Sequence, residues 1–150
     1  MSGRTKHKHF ISKETLEQIA DLVGPLSNYF GAPMILFDAE GNIFCRSDLS
    51  PCFSSANNGS EGSICFRCYE QLRNRLRDIY DAPVVETCIA GIRIIALPIK
   101  TERQFIGMLC LNPPRQSDVF QRTGQDQVSS MIALLDSLLR QIAKRNQELG

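Results

Sequence analysis

Residues 92–111 read IRIIALPIKTERQFIGMLCL. Two mostly apolar runs, 92–99 and 105–111, flank the polar turn Thr101-Glu102-Arg103-Gln104. Short apolar runs bounded by turn residues predict two strands of a hairpin. Neither run alternates cleanly between apolar and polar residues. That is the pattern of strands covered on both faces, so alternation does not say which side chains would face a cavity.

Working outward, Val84-Val85-Glu86-Thr87-Cys88 follows Pro83 and predicts another strand, with Ala90-Gly91 permitting close backbone approach. Further upstream, Pro33-Met34-Ile35-Leu36-Phe37 and Asn42-Ile43-Phe44-Cys45 flank Asp38-Ala39-Glu40-Gly41. Asp first and Gly last is the chemistry of a type I turn, so this is a second hairpin. Three helices complete the order. Ser12 is a candidate N-cap for a stripe of Leu16, Ile19, Val23, Leu26 and Phe30, which Gly24-Pro25 would kink or split. Over 63–80, Ile64, Cys65, Cys68, Tyr69, Leu72, Leu76 and Ile79 share a face, while Glu70, Arg73 and Arg77 read as a solvated face with Arg75 at its edge. Thr123 and Asp126 have the spacing of a capping box before the longest helix, with Val128, Met131, Leu135, Leu138 and Ile142 on one stripe, widened by Ile132, Leu134 and Leu139. The prediction is an α+β domain: an antiparallel sheet of about five strands, with helices to one side and at both termini.

The whole chain has 150 residues, 43% hydrophobic and 22% charged, with net charge +1. One domain over 12–148 is expected, preceded by a flexible tail, 1–11. The near-zero charge argues against direct nucleic-acid or membrane binding. No apolar run is long enough to span a bilayer, and the polar N-terminus lacks the core of a signal peptide, so a cytoplasmic location is expected. In a reducing compartment, six cysteines are not expected to form three disulfides.

Four of those cysteines are suggestively spaced: Cys52, Cys65, Cys68 and Cys88. Cys65 and Cys68 lie three apart near the start of a helix, where the positive end of the dipole favours thiolate, the metal-binding form. Cys52, in the Ser/Asn/Gly-rich stretch 46–62, and Cys88, at a strand end, could complete a four-sulfur site. Zinc is the favoured occupant and an iron–sulfur cluster the alternative. Half-buried reduced thiols and a reversible thiol switch remain open readings. Such a site would pin the long loop, since ordering costs about 1–2 kcal/mol per residue while structural zinc offers about 10–16 kcal/mol. Cys45 and Cys110 lie in apolar strand patterns and read as core.

Pro51-Cys52-Phe53, Cys65-Phe66-Arg67-Cys68, Glu86-Thr87-Cys88-Ile89-Ala90-Gly91, Ala96-Leu97-Pro98-Ile99 and Ile106-Gly107-Met108-Leu109 together resemble the sensory domain of the propanediol-regulator (PocR) family. The resemblance spans roughly residues 12–139 and implies a GAF/PAS-like fold. It implies a prokaryotic module that binds a small molecule and passes a signal to an output regulator, fused or separate. The metal role carries onto Cys52, Cys65, Cys68 and Cys88, and homodimerisation onto the terminal helices. The chain departs from the family pattern at Ile89, where His is frequent, and at Asn112-Pro113-Pro114, which replaces a glycine-rich segment. Those departures leave the ligand's identity open.

No output domain is read in these residues, so the chain is expected to be one domain of a larger regulator or to act in trans. Candidate ligand-lining residues are Cys88, Ile92, Ile94, Leu97, Phe105, Ile106 and Met108. A thiol redox enzyme like the GAF-type free methionine-sulfoxide reductases is the alternative. Catalysis is not expected, because His7 and His9, the only histidines, fall in the tail and no phosphate loop, paired-carboxylate signature or H-E-x-x-H is present.

Overall fold

In the computed structural model, the described residues are 2–47, 64–78, 82–87, 91–101, 104–113 and 125–149. The elements run α1 (Ser2–Phe30), β1 (Met34–Asp38), β2 (Ile43–Arg46), α2 (Ile64–Asp78), β3 (Val84–Thr87), β4 (Arg93–Thr101), β5 (Gln104–Leu111) and α3 (Gln125–Leu149). The strands form one antiparallel sheet in the order β2-β1-β5-β4-β3. The expected α+β architecture with helices at both ends is present.

The helices divide between the two faces. Leu16, Ile19 and Val23 of α1 and Met131, Leu135 and Leu139 of α3 bury against Leu36, Leu97 and Leu109 on one face. On the other, Tyr69, Leu72 and Leu76 of α2 pack on Ile35, Phe37, Ile94, Ala96 and Cys110. The expectation of helices to one side therefore needs correction for α2. With a helical layer on each face, the central strands have no solvent side, which is why their sequences do not alternate.

Three local features depart from the sequence reading. Helix α1 begins at Ser2 rather than after Ser12, so the segment expected as a tail is helical. It also continues through Pro25 instead of splitting there. It ends at Gly31, whose φ of 65° suits a residue lacking Cβ, with the Ala32 N–H donating back to the Ser27 carbonyl at 3.1 Å. That is the six-to-one closure of a Schellman cap. Third, Leu134, read as part of the buried stripe of α3, is 59% exposed.

Pro98 lies within β4, a strand paired on both sides, where proline is normally excluded. The β3 pairing reaches only from Val84↔Ala96 to Thr87↔Arg93, so Pro98 lies beyond it and its missing N–H breaks no ladder bond there. Across β4 and β5 the register shifts between Ile99 and Lys100, which pair with Gly107 and Phe105 respectively. Ile106 is the extra residue of this bulge.

Candidate functional site

The β1–β2 turn has the predicted construction. The Gly41 N–H donates to the Asp38 carbonyl at 3.1 Å, and the Asp38 carboxylate accepts from the N–H groups of Glu40 and Asn42 at 3.0 and 2.9 Å. Gly41 has φ 89°. Helix α2 meets this turn through Arg73, whose Nη1 donates to the Ala39 carbonyl at 3.0 Å. A Cβ on Gly41 would stand 2.9 Å from Arg73 Nε, so the glycine makes room for the guanidinium. Farther along the same helix, Arg75 forms an ion pair with Glu86 of β3. The two arginines therefore fasten α2 to both halves of the sheet. Sequence periodicity placed Arg73 on a solvated face, whereas it is half-buried and bonded. A helical period reports which face a side chain leaves from and cannot report how far a long side chain reaches.

A cleft of about 180 Å³ lies between α2 and the turn, lined among others by Phe37, Glu40, Tyr69, Glu70, Arg73 and Met108. The Phe37 and Tyr69 rings pack with centroids 5.0 Å apart.

The residues expected to line a ligand site are distributed over both faces. Ile94 and Met108 belong to the α2-side core, with Ile92 and Phe105 packed against it. Leu97 and Ile106 lie in the core beneath α1 and α3. Leu97 differs in parity from Ile94, and the bulge turns Ile106 away from the face that Met108 occupies. A site on the α2 face can thus draw on Ile92, Ile94, Phe105 and Met108 but not on Leu97 or Ile106. Cys88 lies outside the described residues.

Of the cysteine quartet, Cys68 is half-buried and packs against the α2-side core. Cys65 is the second residue of α2, within its first turn. Cys52 lies outside the described residues, as does Cys88, which directly follows β3. Among the described residues there is no group of three or more metal-ligating side chains. Cys110 is buried on the α2 side of the sheet, and Cys45 is partly buried with its thiol 3.8 Å from the Ala20 carbonyl.

The family model for the sensory domain found in PocR matches residues 9–147. The chain belongs to the PocR sensory-domain family. As a PocR domain it has a sensory role, and its family boundaries take in most of both terminal helices. No curated protein matches the chain. No helix among the described residues of this PocR domain is long and apolar enough to cross a membrane.

Proposed function

We propose that this PocR domain is the ligand-binding sensor of a prokaryotic signalling or transcription regulator, with a metal site of Cys52, Cys65, Cys68 and Cys88. The family match carries the sensory part of this reading. The metal part is supported by the place of two of the cysteines. Cys65 lies in the first turn of α2 and Cys68 one turn further on, where helix N-terminal N–H groups favour thiolate. The Arg75–Glu86 pair ties this cysteine-bearing helix to β3, two residues before Cys88. Four thiolates suit zinc as a structural ion, or an iron–sulfur cluster in a redox sensor.

The ligand belongs on the α2 face, where Ile92, Ile94, Phe105 and Met108 gather. Metal binding would pin the segment that carries Cys52. Ligand or redox state at the cysteines then biases the terminal helices between two arrangements. The reading involves binding alone and assigns no catalytic residue. Helices α1 and α3 form the homodimer contact, supported by the exposure of Tyr29 and Leu134 on them, and pass the signal to a fused or separate output regulator in the cytoplasm.

Anaerobic purification followed by metal analysis and a visible spectrum tests the site. Stoichiometric zinc without colour, or the broad absorbance of an iron–sulfur cluster, supports it. Loss of that metal is expected on Cys65→Ser or Cys68→Ser. Absence of metal, together with thiol-driven reductase turnover, would overturn the reading in favour of an enzyme.

A further inference from the structure

The cleft between α2 and the β1–β2 turn displays charges of both signs over an apolar floor. The floor is the exposed edge of Tyr69 with Phe37 beside it, above the fully buried Met108, and the rim holds Arg73, Glu40 and Glu70. The guanidinium is fixed by backbone: one donor is spent on the Ala39 carbonyl, and its Nε lies against Gly41 in a turn that Asp38 holds shut. A guanidinium has five N–H donors in a rigid fork, so four remain beyond the Ala39 bond. Glu70 precedes Arg73 by three positions on the same helix, a spacing at which opposite charges commonly pair. Yet among the described residues neither Glu70 nor Glu40 forms an ion pair with Arg73. Holding Arg73 to the turn keeps the opposite charges apart across one small space.

We propose that this cleft binds a free aliphatic α-amino acid. Its carboxylate would accept from Arg73, its ammonium would donate to Glu40 and Glu70, and its short side chain would rest on the edges of Phe37 and Tyr69. A simple anion meets two carboxylates here, and a simple amine meets a guanidinium; a zwitterion satisfies both. The volume of about 180 Å³ corresponds to roughly six water molecules at about 30 Å³ each, the scale of a single small amino acid. The proposal rests on the reading of the α2 face as the ligand face and names the ligand's chemistry.

Isothermal titration of the full chain, purified with its metal, tests it. The probes are L-valine, isobutylamine, isovalerate and 3-methylbutane-1,2-diol. These keep the branched body and vary the charges. Valine is expected to bind, and each singly charged analogue to bind at least about tenfold more weakly, as loss of a charged hydrogen bond requires. The exposed pair of changes Glu40→Gln and Glu70→Gln is expected to weaken valine by a similar factor with an unaltered circular-dichroism spectrum. Arg73→Lys, which keeps the charge and loses the fork, is expected to weaken valine also. Binding of the diol without valine overturns the zwitterion and leaves the sensory reading standing. Undiminished valine binding by the Glu40/Glu70 double variant overturns the location. Silence of all four probes overturns the amino-acid class and leaves the α2 face as the ligand face.

Discussion

The Asn146 side-chain amide donates to the Thr15 hydroxyl at 2.9 Å, joining α1 and α3 across 131 positions of the chain. Thr15 is fully buried and Asn146 is 7% exposed. The same amide lies 3.2 Å from Gln18 Oε1, so both acceptors come from α1. A buried polar contact between otherwise apolar stripes fixes how the helices align, because sliding either helix leaves the amide unpaired. Asn146→Leu is expected to lower stability by about 1 kcal/mol, the net worth of the lost hydrogen bond. Chemical denaturation checks this, and a double-mutant cycle with Thr15→Val should show coupling of at least about 0.5 kcal/mol. Additive effects would mean that the bond does not couple the helices.

Gly107 is required for a packing reason. A Cβ there would run into the Phe37 carbonyl oxygen and approach Leu16 to 3.2 Å. Gly107 pairs with Asp38 across β1–β5 and with Ile99 across β5–β4, so neither neighbouring strand can withdraw without breaking ladder bonds. Gly107→Ala is expected to cost about 3 kcal/mol or more, the upper end for overpacking. A thermal midpoint equal to the parent's would contradict the close approach.

Among the described residues, Cys110 and Cys68 differ in burial. Cys110 is 2% exposed within the α2-side core. Cys110→Ser replaces a small apolar side chain of the core by a more polar one and is expected to lower stability by about 1 kcal/mol while leaving metal stoichiometry unchanged. Cys68→Ser is expected to do the reverse in kind, releasing metal. Equal metal loss from both would place Cys110 at the site.

Asp78 supplies a pH dependence. Its carboxyl is held below the ordinary carboxylate range, first by its hydrogen bond with Arg77, against a desolvation cost and with help from the charges of Arg77, Arg73 and Lys100. A depressed folded value stabilises the fold above the unfolded value of about 3.9, and that contribution disappears as pH falls through the folded value. Arg77→Gln is expected to move the Asp78 midpoint upward in a carboxyl NMR titration. An unchanged midpoint would show that the pair does not persist in solution.

Helix α2 is where sequence and structure differ most instructively. Its apolar stripe, Tyr69, Leu72 and Leu76, was legible because burial on one face imposes a helical period. The roles of Arg73 and Arg75 were not, because their partners Ala39 and Glu86 lie 34 and 11 positions away and no local pattern connects them. The ligand-lining residues mixed the two faces for a similar reason. One extra residue at Ile106 reverses the parity of half a strand, and nothing in the apolar run 105–111 marks where that residue falls.

The element order, both hairpins, the Asp38–Gly41 turn, the burial of Cys110 and membership of the PocR family were all legible in the residues. These follow from local periodicity, turn chemistry and short ordered motifs. Three-dimensional packing was needed to learn that α2 covers the face opposite α1 and α3, that Leu97 and Ile106 are parted from Ile94 and Met108, and that Arg73 lies against Gly41. Those outcomes depend on which strand lies beside which and on the direction each pleat faces. Both are set by burying the two faces of one sheet at once.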